Sequence, residues 1–223
     1  RSIDLRKIVA NAIDRTSKKY DLQLRQLKDT EKRDKYKVYG ELITAYGYSA
    51  KQGDKELVCV NYYTNEEITI PLDPDISPMD NSKKYFAKYN KLKRTYEALT
   101  ELTVESKSEL DYLMSVQNSL EIADSLDDLT QIKTELIESG YIRGKKDNKK
   151  GKKQEKSKPL HYVSSDGYHI YVGKNNFQNE ELTFKVAAGD DMWFHAKNMP
   201  GSHVIVKTEG ETELPDRTYE EAA

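Results

Sequence analysis

The sequence predicts an α+β protein that is mainly α: a long antiparallel coiled-coil hairpin with a small β tip, then a small, truncated α+β domain. Three observations carry this. An apolar seam steps by four and three residues from Tyr85 to Leu120. An upstream stretch of nearly equal length, Leu5 to about Tyr46, has no proline and no glycine before Gly40. From Pro159 the apolar period falls from 3.6 to 2, the spacing of side chains along a strand.

The seam occupies positions 85, 89, 92, 96, 99, 103, 106, 110, 113, 117 and 120, and eight of these eleven are apolar or aromatic. Sustained over five heptads, that is a coiled-coil pattern. Thr103, Ser106 and Gln117 interrupt it and mark a flexible point or a change of partner. Ser77 as N-cap, Pro78 at the first helical position and Asp80 three residues after the cap signal the start. The upstream helix carries a looser stripe of Ile13, Tyr20, Leu24, Leu27, Val38 and Leu42. Two equal helices around one connector cover each other's stripes best when antiparallel, with residue 47 opposite 79. That pairing brings Leu24 and Leu27 towards Leu99 and Leu102.

The connector, about 48–76, holds two β-like segments, Glu56 to Tyr63 and Glu67 to Pro71, around Thr64-Asn65-Glu66. Tyr39, Tyr46, Tyr48, Tyr62, Tyr63, Tyr85 and Tyr89 gather near this tip. Tyrosine buries area at low entropic cost and keeps a polar handle, so Tyr46, Tyr48, Tyr62 and Tyr63 are candidates for binding a partner. The commoner role of such residues is to pack a hairpin onto helix ends. After the seam, Ser125 with Asp128 caps another short helix that ends near Gly140. Its Leu129, Ile132, Leu136 and Ile137 fold it back on the base of the arm, so residues 1–142 form one element.

Composition agrees: 36% hydrophobic and 33% charged suits extended helices better than one large core. No apolar run approaches the ~20 residues that span a bilayer, so no membrane insertion is expected. The single cysteine, Cys59, fits a reducing compartment. The net charge of −2 hides an asymmetry. Residues 143–158 carry nine Lys/Arg against two acids, a net of +7. Such a run is either a solvated linker or a nucleic-acid contact. The chain opens Arg1-Ser2 directly into periodicity at Leu5, Val9 and Ala12, and Thr218 with Glu221 reads as a capping box close to Ala223. A piece of a longer chain is therefore expected.

In residues 159–223, His161 to Ser164 and Tyr168 to Val172 flank Ser165-Asp166-Gly167 as a hairpin. A helix is expected from about Asn179 to Ala188, then strands at Met192 to Lys197 and Ser202 to Thr208. All four histidines, His161, His169, His195 and His203, lie here. The spacings of zinc sites are absent, so no metal is expected. Ser202, His195 and Asp191 could be imagined as a triad, but no nucleophile elbow frames them. Gly173-Lys174 lacks the frame of a phosphate loop. Neither a catalytic residue nor a cofactor is expected, and the chain reads as a binding protein rather than an enzyme. In strand geometry Met192, Phe194 and Ala196 point to one side and Trp193, His195 and Lys197 to the other. Val204 and Val206 join the apolar side, leaving His203 and Lys207 outward. An indole, imidazoles and a cation together suit a base and its phosphate. The candidate RNA contacts are Trp193, His195, Lys197, Ser202, His203 and Lys207, with Lys174, Asn175, Asn176 and Asn179 in the segment before them. The alternative for Trp193 is a rim residue packed under the following helix.

Four stretches carry a family resemblance: YGELITAYGY (39–48), NYYTNEEITIPLDPDISPMDNSKKYFAKYNKLKR (61–94), SDGYHIYVGKNNFQNEELTFKVA (165–187) and DMWFHAKNMPGSHVIV (191–206). The sequence resembles the NFACT family across essentially its whole length. The resemblance implies that residues 1–142 look like the family's middle coiled-coil domain and 159–223 like the first part of its RNA-binding domain, joined by a basic linker at 143–158. It further implies ribosome-associated quality control, with the large ribosomal subunit and tRNA as partners, a cytoplasmic location, and support of C-terminal alanine tailing of stalled chains. Gram-positive members are also described as fibronectin-binding adhesins, so fibronectin binding at the cell surface, without a signal peptide, is the alternative. The family's N-terminal domain is not in this sequence, so tailing by these residues alone is not expected.

Overall fold

Residues 2–143 and 157–223 are described by the computed structural model. Most of the basic stretch at 143–158 thus lies outside the described residues. The elements run α1 (Ser2–Asp29), α2 (Arg33–Tyr46), β1 (Glu56–Asn61), β2 (Glu66–Pro71), α3 (Pro78–Ile122), α4 (Leu126–Glu138), β3 (Leu160–Val163), β4 (His169–Val172), α5 (Asn176–Glu181), β5 (Met192–Phe194), β6 (Val204–Val206) and α6 (Asp216–Ala222). They form two compact units, Lys19–Ser106, and Arg1–Lys18 with Lys107–Ala223.

In the unit of Lys19–Ser106, the second half of the first helical stretch meets the start of α3. Ser82 Oγ donates to Gly40 O at 2.9 Å and lies 2.8 Å from Thr44 Oγ1, which keeps the antiparallel register that sets residue 47 opposite 79. The expected single helix over Leu5 to Tyr46 is broken by a 3₁₀ turn at Thr30–Lys32. Thr30 causes it locally: its buried hydroxyl donates to Leu27 O at 2.6 Å, drawing the backbone from the i−4 ladder. The stripe also differs. Gln23 is buried where Leu24 was expected, and Leu24 and Leu102 are exposed. On α3, Leu99, Thr103 and Ser106 are buried, so the polar interruptions stay in the seam. Polar seam positions give up stability for a defined register.

At the tip, β1 and β2 pair from Glu56↔Pro71 to Asn61↔Glu66. The turn is Tyr62–Asn65 rather than 64–66, because Asn65 takes the left-handed φ of 57° that closes it. Leu57, Ile70 and Leu72 pack on Tyr39, Leu42 and Ile43 of α2. Ser77 caps α3 as expected: its Oγ accepts Asp80 N at 3.1 Å and donates to Asp80 Oδ2 at 2.8 Å.

Gly40 lets α2 and α3 touch. A Cβ there would sit 2.9 Å from Phe86 Cε2. An alanine in an open helix gains up to about 1 kcal/mol over glycine. Here overpacking outweighs that gain, and Gly40→Ala is expected to lose about 1–2 kcal/mol net. Denaturant midpoints test this, and an unchanged or raised midpoint would contradict the close approach.

In the other unit, Leu5 and Val9 of α1, Val116 and Leu120 of α3, and Ile132 and Leu136 of α4 form one core. Arg6 Nη2 donates to Leu120 O at 3.2 Å, again antiparallel. Val116 replaces the expected Gln117 in this seam, because α4 supplies a second apolar neighbour on that side. Ser125 and Asp128 form the capping box of α4, and Gly140, at φ 81°, ends it. The C-terminal sheet has order β3-β4-β6-β5, all antiparallel. One face, with Ile170, Met192, Phe194, Val204 and Val206, packs under Leu214, Tyr219 and Ala222. The last helix begins at Asp216 and not at Thr218: Pro215 is its N-cap, and the Pro215 carbonyl accepts Thr218 N at 2.9 Å. Buried Thr218 instead donates to Asp166 Oδ2 at 2.8 Å, and Glu221 accepts Ser165 N at 2.7 Å, fastening the β3–β4 turn.

Candidate nucleic-acid interface

The second face of the C-terminal sheet is where the candidate residues collect. Register places His161, Tyr171, Ile205 and Trp193 opposite one another across the four strands. The helix that follows β4 starts at Asn176, three residues before the expected Asn179. Asn175 Oδ1 accepts Gln178 N at 3.0 Å, a side-chain cap that defines the start. It continues as a π-helical turn, Leu182–Val186, that lies against β6 and leaves Ile205 fully buried. Trp193, on the edge strand β5, remains 51% exposed.

Around Trp193 three rings meet. His195 stacks on it at 5.8 Å and 17°, and His203 meets it edge-on at 5.2 Å. His195 and His203 lie 5.2 Å apart, also edge-on. Burial, reinforced by the neighbouring His195, lowers the His203 pKa, which favours its neutral form. His203 N donates to Asn179 Oδ1 at 3.0 Å, and its Nδ1 lies 2.7 Å from Thr183 Oγ1. β5 is shorter than expected, so Lys197 lies in an exposed turn beyond it, followed by Asn198 at φ 60°. Ser202 is half-buried just before β6. A groove of about 590 Å³ opens beside the rings, lined by His195, Asn198, Met199 and Pro200 and by Lys107 and Asp111 of α3.

The other candidates have their polar groups turned inward. Lys174 is only 8% exposed and pairs with Asp128 of α4 at 2.8 Å. Burial alone would raise the Asp128 carboxyl, but hydrogen bonds from Lys174 and Ser157 outweigh it and hold the group well below the usual range. Asn175 Nδ2 donates to Gln131 Oε1 at 2.7 Å, and Asn176 Nδ2 to Glu135 Oε1 at 2.6 Å and Ser115 Oγ at 2.9 Å. These three residues bind the sheet domain to α3 and α4 through a buried polar joint. Asn179 clamps the neighbouring loop, its Nδ2 donating to Gly201 O at 3.3 Å. Lys207 pairs with buried Asp191, which also accepts Ala188 N and Thr208 N. Asp191 is thereby occupied, and no Ser202–His195–Asp191 triad is assembled.

Sequence reasoning missed a second ring group. His161 stacks on Tyr171 at 4.6 Å and on His169 at 4.9 Å, with His161 Nε2 and His169 Nδ1 2.8 Å apart. The short turn at 165–167 carried the signal, because it places 161 opposite 171. Among the described residues no group of three or more His, Cys, Asp or Glu could hold a metal ion.

Of the tip tyrosines, Tyr46 packs against the local core and Tyr48 is 86% exposed beside Met79 and Pro78. Tyr62 and Tyr63 pair at 4.7 Å. Tyr63 donates to Glu41 Oε2 at 2.8 Å, a bond that pushes its phenol up to about 12.

With this geometry in view, the model for NFACT N-terminal and middle domains matches residues 1–155, and that for the NFACT protein RNA binding domain matches 158–223. The chain belongs to the NFACT family. Within it, the chain is 39% identical over 224 residues to the Rqc2 homolog RqcH of Bacillus subtilis, covering 99% of this chain and 38% of that protein. It is 42% identical over 204 residues to the Rqc2 homolog RqcH of Streptococcus suis, covering 91% and 36%. It thus spans well under half the length of these NFACT relatives. The solved C-terminal part of the fibronectin/fibrinogen-binding protein from Streptococcus suis is similar with a TM-score of 0.72 and 34% identity, over 100% of this chain and 74% of that one. Among the described residues no helix is long and apolar enough to cross a membrane.

Proposed function

We propose that the chain is the RNA- and ribosome-contacting part of a cytoplasmic ribosome-associated quality-control factor. In this reading it binds obstructed large ribosomal subunits and tRNA and supports C-terminal alanine tailing of stalled nascent chains. The exposed Trp193–His195–His203 cluster carries it, because it lies within the part that matches the NFACT protein RNA binding domain. Base stacking on such rings tolerates any sequence. Trp193, His195, Lys197, Ser202 and His203 touch RNA, while Lys174, Asn175, Asn176, Asn179 and Lys207 hold that surface in place. Lysines of the 143–158 linker contact phosphate, and the exposed tyrosines Tyr48, Tyr62 and Tyr63, with Tyr46 behind them, meet a ribosomal partner.

Trp193→Ala is expected to weaken tRNA binding by about 1–3 kcal/mol without unfolding the domain, since the indole is half in solvent. Replacing Lys149, Lys150, Lys152 and Lys153 with Gln is expected to weaken binding and flatten its salt dependence. Filter binding to tRNA at two salt concentrations checks both. Unchanged affinity in the first variant removes the ring cluster from the interface, and an unchanged slope in the second returns the linker to a solvated connector. The second reading, a fibronectin-binding adhesin, is supported by the likeness to the fibronectin/fibrinogen-binding protein. Fibronectin capture run beside the tRNA assay separates them.

A further inference from the structure

The C-terminal sheet domain has the wrong charge for gripping a phosphate backbone. Residues 159–223 hold five Lys/Arg against eleven Asp/Glu, a net of −6. Apart from Lys197, in the exposed turn beyond β5, the lysines around the ring cluster are committed elsewhere. Lys207 is paired with Asp191, Lys174 with Asp128, and Lys107, on the groove wall, with Asp111. Phosphate affinity scales with the number of cations that can displace counterions, and this face offers few.

What it offers instead is aromatic ring surface. Trp193 presents half its surface, with the His195 ring stacked against it and His203 edge-on behind. His203 is fastened through Asn179 and Thr183, and burial lowers its pKa, which favours its neutral form. The adjoining groove of about 590 Å³ has room for a base and its sugar. Its wall supplies an amide at Asn198 and, beside the oxygen that Lys107 holds, the second carboxylate oxygen of Asp111, donor and acceptor groups of the kind that read a base edge. Within a duplex both faces of each base are stacked and its Watson–Crick edge is paired, so only the two ends offer a base face.

Resting on the RNA-binding reading above, we infer that the Trp193–His195–His203 cluster and the groove beside it form a site for one unpaired nucleobase, held by stacking and edge contacts rather than through phosphate. Phosphate attraction then belongs to the basic residues of 143–158, outside this sheet. The two contributions are separable: one depends on the base and ignores salt, the other depends on charge and fades with it.

Trp193 is the sole tryptophan in the chain, so its fluorescence reports this site directly. The intact chain is titrated with a short single-stranded RNA, with the same strand made abasic (all phosphates kept), and with a blunt duplex. The unmodified strand is expected to quench Trp193 and to bind about tenfold more tightly than the abasic one. That ratio should persist when salt is raised, although both affinities fall. The duplex should bind with little quenching. In filter binding, which needs no tryptophan, Trp193→Leu should abolish the tenfold preference and Trp193→Phe should restore part of it. Equal binding and equal quenching by the abasic strand would overturn the inference and make this a backbone site. So would a base preference that survives Trp193→Leu, which would place the base elsewhere; in both cases RNA binding by the chain would still stand. No binding of any probe would remove the RNA-binding reading together with the inference.

Discussion

Lys174→Met is expected to destabilise the unit that contains the C-terminal sheet by about 3–5 kcal/mol, the cost of stranding one partner of a buried ion pair. Asp128 is fully buried and accepts Lys174, Ser157, and the backbone N–H groups of Asp124 and Ser125. Without the ammonium its carboxylate keeps the weaker donors only. Unfolding followed by Trp193 fluorescence reads the loss, and a double variant with Asp128→Leu should fall less far than the two single changes together. Additive losses would mean that the pair does not act as one. The pH dependence has a definite sign. The Asp128 pKa is lowered in the folded state, so its contribution is present above the ordinary carboxylate range and is lost as pH falls through the folded value. The gap between wild type and Lys174→Met should narrow as pH falls, because burial without the ammonium makes Asp128 protonate earlier in the variant than in wild type.

Gly173→Ala is expected to be nearly as damaging, by about 2–3 kcal/mol, and to disturb the ring cluster as well. A Cβ at 173 would lie 2.1 Å from Asn179 Oδ1 and 3.0 Å from Asn179 N. The side chain must leave, and with it go the bonds to His203 N and Gly201 O that seat the β6 end of the cluster. Thermal melts measure the stability, and Trp193 emission measures the second effect, since His203 packs edge-on against the indole. A stable variant with an unshifted emission maximum would show that Asn179 can move at little cost. An Asn179→Ala chain should shift the emission in the same direction while leaving Gly173 unstrained.

Several elements were readable because their causes are local. Ser77, Pro78 and Asp80 announce α3, and Ser125, Asp128 and Gly140 bracket α4, through caps built from neighbours in the chain. Trp193 and His195 could be put on one side of a strand from alternation alone. Lys174, Asn175 and Asn176 were misjudged for the opposite reason. A lysine followed by two asparagines reads the same whether it meets solvent phosphate or a buried carboxylate. The partners that decide, Asp128, Gln131 and Glu135, lie more than forty residues away. His161 and Tyr171 fell between these cases, since the turn length implied their pairing once β3 and β4 were set in register.

By itself the sequence determined an antiparallel helical hairpin with a β ribbon at its turn, and a small antiparallel sheet domain after a basic stretch. Periodicity, caps and turn residues act over a few positions, and each helix or strand declares its apolar face without reference to the rest. Only the tertiary structure decided that Gln23 rather than Leu24 enters the seam, because a helix face is chosen by its neighbour and not by its own hydrophobicity. It decided also that Lys174 and Lys207 spend their charges internally while Trp193 stays open. Burial is settled by which surfaces meet, and a polar residue becomes structural only when distant parts of the chain bring it a partner that water can no longer reach.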